Sequence, residues 1–540
     1  MSFIFEFLSQ ILSRFRLVPS SSVVGGSPSR SRRFAIVPKF AIAATLVLSI
    51  AVGWGARSAT AQNVPIQSYL DRVIDRVTEF TLDNGLKFIV LERHEAPVVS
   101  FITYADVGGA DEPPGQTGVA HYLEHLAFKG TPLIGTTNYS AERPLLQELD
   151  KLFEKLQKAK SQNASLQTKL LQAKFDRVQA QAAQYVVQNQ FGQIVEQSGG
   201  VGLNATTSAD ATRYFYSFPA NKLELWMSIE SERFLEPVFR EFYKEKQVIL
   251  EERRLRTDNS PIGKIIEVFL DKAFQTHPYR QPVIGYEEDL RSLTRQNVRD
   301  FFNTYYVPNN LTIAIVGDVY PDRVRELAEV YFGRYPAAPK PPTVEAVEPP
   351  QTEARDVTVR MQTQPWYLEG YHIPAIDHPD RVVYEIMSSI LSDGRTSRLY
   401  RSLIEEQQVA LNAQGTSGFP GDKYPNLMLL YALTAPGRTI DEVATALHAE
   451  IERLSAEPVS PEELERVKTQ ARAGLLRSLD SNSGMASLLV SYDVKTGDWR
   501  NLFQEIEAIE AVTTDDILRV ARATFTPENR TTGRLLPLEE

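Results

Sequence analysis

The 540-residue chain contains no cysteine. Disulfides and thiolate ligands are therefore excluded, and any metal it holds must be bound by imidazole and carboxylate. Histidine is scarce, with seven residues in the whole sequence, so two of them placed close together carry weight. Positive charge is not in excess: the formal net charge is -10, which gives no basis for a nucleic-acid partner. The main apolar run, from Phe40 to Trp54, is shorter than the roughly twenty residues that comfortably span a bilayer. Arg30, Arg32 and Arg33 precede it and Ala59-Thr60-Ala61 follows, the order of a secretory signal ending in a small-residue cleavage site. Residues 1–61 are thus expected to be a signal peptide and the mature protein to work outside the cytoplasm, in the periplasm. An uncleaved membrane tether is the alternative reading of the same segment.

What remains is globular in character. The apolar fraction is 43%, enough for sizeable cores, and the length suits two or more domains. From Val77 to Tyr104, apolar runs flank Asn84-Gly85, a strong signal for a β-hairpin. Leu311 to Gly317 reads as a buried strand and Asp322 to Phe332 as the helix after it. Prolines 336, 339, 341, 342, 349 and 350 then punctuate a stretch poor in apolar residues, read as a linker. The expected organisation is α+β: a first domain over 66–336, a linker over 337–353 and a second domain of similar type over 354–540. Each is expected to be a sandwich of a largely antiparallel sheet and helices.

Between residues 142 and 192 the composition turns to Gln, Lys, Ala and Leu, with no Pro after Pro144 and no Gly before Gly192. Leu145, Leu149, Leu152 and Leu156 recur at helical spacing, and Leu166, Leu170 and Phe175 lie beyond a polar break at Ser161 to Ser165. A helical hairpin inserted in the first domain is expected, its apolar stripe packed on that domain.

The chemistry is concentrated in His121-Tyr-Leu-Glu-His125. At about 100° per residue, His121 and His125 stand roughly 40° apart on a helix with Glu124 on the flank of the same face. Two metal ligands and a general base can converge there, and this order of residues belongs among zinc-hydrolase motifs. A catalytic zinc takes three protein ligands and one open position. The third is expected in Glu245-Lys-Gln-Val-Ile-Leu-Glu-Glu-Arg-Arg254. There Glu252 shares a partly apolar, inward stripe with Glu245, Val248 and Leu255, while Glu251 aligns with Lys244, Gln247 and Arg254. Glu252 is the expected ligand, with Glu245 behind it.

With these residues in place, the chain from about Val77 to its end resembles the pitrilysin/insulinase (M16) family of zinc peptidases, in its processing-peptidase-like bacterial branch. The markers are His121 to Thr131, Leu203-Asn-Ala-Thr-Thr-Ser208, Val248 to Glu252, His277-Pro-Tyr279, Val307 to Leu311 and Gly317-Asp318. The resemblance implies Zn2+ held by His121, His125 and Glu252, Glu124 as the base that activates water, and a supporting role for Glu245. It also implies an extended peptide substrate lying along Asn204 and Ala205. Two departures stand out. The stretch between His125 and Glu252 is longer than relatives of this family place there, and the surplus matches the helical hairpin. Active members also supply an Arg and a Tyr seven residues apart, where this chain has Ile404 and Leu411. The pair is then expected from a related subunit. A self-sufficient homodimer and a non-catalytic assembly subunit are the competing readings, separable by whether the isolated chain hydrolyses peptides.

Overall fold

Asn84-Gly85 turns the chain between β1 (Val77–Thr81) and β2 (Lys87–Glu92), which pair antiparallel with Val77 opposite Leu91. Gly85 has φ +96°, a left-handed conformation in which a side chain is strained. The structure, a computed structural model, describes residues 66–539. The expected signal segment, 1–61, lies outside the described residues. Ile66–Ile74 is a short helix whose residues up to Val73 belong to a separate unit, and residues 74–540 form the other.

Two sheets organise this larger unit. The first adds β3 (Val98–Ala105), β4 (Val201–Thr207), β5 (Thr212–Pro219) and β6 (Leu311–Gly317), in the spatial order β1-β2-β6-β3-β5-β4. The second holds β7 (Arg355–Arg360), β8 (Trp366–Ile373), β9 (Ala410–Phe419), β10 (Asn426–Thr434) and β11 (Arg530–Leu536), ordered β7-β11-β8-β10-β9. Leaving out β1, the two sheets share one wiring. The first strand pairs parallel with the last, the last pairs antiparallel with the second, and the third takes the outer edge beside the fourth. The α+β reading with two domains of one type is therefore correct. β6 is buried at every position, as its unbroken apolar run requires of a central strand.

The helices that matter for the site are, in chain order, α1 (Val119–Leu126), α2 (Tyr139–Ser161), α3 (Ser165–Ala183), α4 (Leu223–Leu235), α5 (Phe242–Arg253), α6 (Pro261–Ala273) and α7 (Asn482–Thr496). Each sheet is covered in part by the other half of the chain: α7 packs on β3 and β6, and α6 packs on β7 and β11. Phe269 of α6 lies over Gly370 and Gly533, where an added Cβ would meet its ring at 2.8 and 2.9 Å. The 337–353 stretch has no regular structure, and Glu348 within it accepts hydrogen bonds from the backbone N–H groups of Gln275, Thr276 and His277.

α2 and α3 form the expected antiparallel hairpin, turning at Asn163, which has φ +54°. Leu149, Leu152 and Leu156 are buried, and Leu145 is packed against the same core. The expected stripe fails on the second helix: Leu166 and Leu170 are 72% and 65% exposed. There the inward face is Phe175, Val178 and Ala182, with Leu171 partly buried. Positions 171, 175, 178 and 182 share one helical face, and at about 100° per residue Leu166 and Leu170 fall well off it. Among the described residues no helix is long and apolar enough to cross a membrane.

Candidate metal centre

α1 starts from Gly118, whose φ of +85° and close approach to Ile284 O, 2.6 Å from where a Cβ would stand, exclude any other residue without rearrangement. Its first N–H groups are satisfied by Glu112, which accepts from Gly118 N at 2.7 Å and Ala120 N at 2.8 Å. A carboxylate there also complements the positive end of the helix, although burial pushes the Glu112 pKa well up. At the other side of the site α5 runs on into a π-helical turn over Arg254–Asp258.

These two helices bring His121, His125 and Glu252 together, with one donor atom from each lying within 4.8 Å of the others. His125 Nε2 is 3.2 Å from His121 Nε2 and 3.4 Å from Glu252 Oε2, and His121 Nε2 is 3.7 Å from Glu252 Oε2. The donor chemistry fits zinc: two imidazole nitrogens and a carboxylate oxygen face one point, and no thiolate is needed. His121 is fully buried and its Nδ1 has no hydrogen-bond partner among the described residues. Burial, aided by the charge of His125, holds its pKa down to about 3, so the imidazole is neutral and has a ring-nitrogen lone pair to offer.

A second layer orients the ligands. Glu245 Oε1 bonds His125 Nδ1 at 2.9 Å, and Lys129 Nζ stands 2.7 Å from Glu245 Oε2. Burial alone would raise the Glu245 pKa, but the bonds from His125 and Lys129 hold it at about 2. Burial likewise opposes protonation of His125, yet its bonds to Glu245 and Glu252 lift it to about 9. Arg256 Nη1 lies 2.9 Å from Glu252 Oε1, leaving Oε2 to face the histidines. Carboxylate partners of this kind fix the tautomer and aim of a metal-binding imidazole. Glu124 sits apart from the ligand cluster and accepts a hydrogen bond from Thr207 Oγ1 at 2.5 Å, while burial raises its pKa.

The structure places Glu252 with the two histidines and Glu245 behind His125, but not on the stripe the helix-face argument used. Val248 and Leu255 are 46% and 64% exposed. The buried positions of α5 are Phe242, Tyr243, Glu245, Lys246, Ile249, Leu250 and Arg253, so Glu245 is buried with them while Glu252 is partly buried and the two apolar residues of the expected stripe face out. Asn204 is exposed and Ala205 buried on β4, whose outer edge pairs with no strand among the described residues. Asn204 is thus a strand residue rather than part of a turn, and its Oδ1 accepts from Ala205 N at 2.9 Å. Ile404 is partly buried and Leu411 is 44% exposed on β9; neither carries a hydrogen-bonding side chain.

Sequence reasoning missed the roles of Thr207, Glu112, Arg256 and Lys129, whose partners are fixed only by the fold. It also left His277-Pro-Tyr279 without a function. Tyr279 OH donates to Asp210, which also accepts from Asp422 N at 2.9 Å and Lys423 N at 3.2 Å. Asp210 lies in the β4–β5 turn, three residues beyond Thr207, so the second half of the chain grips the turn next to the site. A cavity of about 340 Å³ opens beside Glu124 and His125, walled by Phe128, Ile134, Val186, Val187 and Phe191 with Lys129 and Glu241 among its polar members.

This fold and site define a zinc-peptidase scaffold, and comparison with known families agrees. The model described as Insulinase (Peptidase family M16) matches residues 88–193 and 176–287, and that described as Peptidase M16 inactive domain matches 292–471. The chain belongs to this family. It is similar to the zinc protease PqqE of Helicobacter pylori, 29% identical over 483 residues, covering 87% of this chain and 94% of that one. It is also similar to an uncharacterized zinc protease, YmxG, of Bacillus subtilis, 21% identical over 84% of this chain and 96% of the other. Among solved structures, a protease from Helicobacter pylori superposes with a TM-score of 0.73 at 27% identity, over 85% of this chain and 99% of that one. The periplasmic protease PqqL from Escherichia coli shares the fold, with a TM-score of 0.64 at 17% identity, over 86% of this chain and 48% of its own length.

Proposed function

We propose that the protein is the zinc-bearing subunit of an endopeptidase that cleaves extended peptides or small unfolded polypeptides outside the cytoplasm. The observation that carries this reading is the convergence of His121, His125 and Glu252 on one point with Glu124 held beside it but outside the cluster. Zinc bound there supplies Lewis acidity, acidifying water and polarising the scissile carbonyl. The chain's own groups do the rest. Glu124, raised by burial, takes a proton from the attacking water and hands it to the leaving amine. The open edge of β4, with Asn204 exposed on it, receives the substrate as an added strand, whose main-chain pairing tolerates many sequences.

Completion by a related subunit is supported by what the second half lacks. Donors aimed at a developing oxyanion are worth several kcal/mol of transition-state stabilisation, and Ile404 and Leu411 offer none. That the fold accounts for about half of a longer relative fits a functional unit made of two such chains. The decisive experiment combines the mature chain with a related subunit bearing the Arg/Tyr pair and follows peptide hydrolysis. Activity is expected only in the mixture, and Glu124→Gln should abolish it while zinc content stays unchanged. Full activity of the isolated chain would remove the partner; wild-type activity of Glu124→Gln would remove the assigned base. Extracytoplasmic location is tested by fractionation with N-terminal sequencing, for which cleavage after Ala61 predicts Gln62 as the first residue.

A further inference from the structure

Arg233 on α4 is 2% exposed, yet its guanidinium keeps little polar company. Among the described residues Nε and Nη1 have no hydrogen-bond partner, and Nη2 stands 3.1 Å from Glu230 Oε2. Five aromatic rings surround it instead. Its central carbon is 4.2 Å from the ring centroid of Phe191, 4.9 Å from Phe128, 5.2 Å from Tyr214, 5.7 Å from Phe234 and 5.9 Å from Tyr216. A buried cation with unmade hydrogen bonds is unfavourable unless ring faces replace the lost water, which is what this cage provides. Glu230 is itself pinned from the sheet, accepting from Thr103 Oγ1 at 2.7 Å and Tyr216 OH at 2.9 Å. The guanidinium is therefore fixed to the rigid core of the first sheet.

The two rings nearest to it are the ones that line the cavity beside Glu124 and His125. They come from different places: Phe128 lies just past α1, and Phe191 on the short helix Gln190–Gln197 that follows the helical hairpin. They meet edge to face with centroids 6.2 Å apart, and Arg233 presents one cation to both. We propose that Arg233 is a positioning residue that holds this two-ring floor in place and so sets the site's selection for a bulky apolar residue beside the scissile bond. The inference rests on the peptidase reading, because it takes the cavity as the place of a substrate side chain. Its logic is steric. A cavity of about 340 Å³ with Phe, Ile and Val walls accepts a large side chain while both rings stay put, and it narrows when either is free to rotate inward.

The test uses the zinc-loaded full chain in the assembly in which it is active. Internally quenched peptides differ only in having Phe or Ala on either side of the cleaved bond. Wild type is expected to prefer the Phe peptide, and Arg233→Met to lower that preference by about tenfold, within the range a hydrophobic pocket discriminates, while sparing kcat on the Ala peptide. An equal loss on both peptides, or an unchanged ratio, overturns the proposal. Should Arg233→Met not fold, Arg233→Lys and Phe191→Leu decide it. Each must lower the ratio, and the double variant must lower it no further, since both act through one floor. Equilibrium binding of the same peptides to Glu124→Gln, with and without Arg233→Met, separates the two readings. Binding without hydrolysis in any assembly removes the peptidase reading and leaves the selectivity to be scored by affinity. Binding that ignores the Phe-to-Ala change overturns the role of Arg233 alone.

Discussion

Thr207 Oγ1 lies 2.5 Å from Glu124 Oε2, tying the last residue of an edge strand to the carboxylate beside the metal cluster. Thr207 is fully buried, so this bond is not shared with solvent. It aims one carboxylate oxygen of the residue assigned as the base.

Thr207→Val keeps the shape and removes the donor. A hydrogen bond to a charged group contributes about 1.5–3 kcal/mol, so kcat should fall by about tenfold or more with KM nearly unchanged. Thr207→Ser should restore most of the rate. Steady-state kinetics on one peptide checks this; a rise in KM alone would show that Thr207 serves binding and not the base.

Zinc uptake should release about one proton at pH 7. Against the opposing effect of burial, Glu245 and Glu252 hold the His125 pKa at about 9, so this imidazole must be deprotonated before it can coordinate. Affinity should then climb as pH rises towards 9 and level off above it. Titration calorimetry in two buffers of different ionisation enthalpy measures the proton count. No proton release would place His125 in its neutral form from the start.

Asp111 gives a stability prediction of definite sign. Burial raises its pKa from the 3.8 of a free aspartate to about 7, against the hydrogen bond from Gly108 N. The folded state therefore binds more protons than the unfolded state between these values, and stability from this group is present at low pH and lost as pH rises from about 4 to 7. Asp111→Asn keeps an acceptor for Gly108 without the charge. It should stabilise the protein by up to about 4 kcal/mol at pH 8 and by almost nothing at pH 4, as read from denaturant midpoints.

The helical hairpin offers a paired comparison. Leu152→Ala empties a buried position and should cost about 2–5 kcal/mol, whereas Leu166→Gln alters a residue 72% exposed and should stay within about 0.5 kcal/mol. Urea unfolding of the two variants decides it, and equal losses would mean that Leu166 is covered in solution.

Much of this molecule could be read from local pattern. The Asn84-Gly85 hairpin, the all-apolar β6, the helical hairpin and the His121 to His125 helix are each written in a few adjacent residues. The phase of α5 was legible but its orientation was not: periodicity groups Glu245 with Glu252, while only packing shows that Val248 and Leu255 face away from the core. Thr207, Asp210 and Arg233 escaped because their meaning lies in partners from other elements or from the other half of the chain. The shared wiring of the two sheets was likewise invisible, since strand order is a property of pairing and not of any strand's composition.

The helical hairpin leaves and rejoins the first sheet's domain at one place, where Thr136 and Val186 form an isolated antiparallel bridge. Its turn at Asn163 lies between the two parts of the metal cluster in sequence: His121 and His125 come before it and Glu252 after it. A break in the backbone there would divide the ligand set between two polypeptides without touching any ligand. Neither fragment would then carry the full donor set, so zinc binding would report whether the two halves come back together.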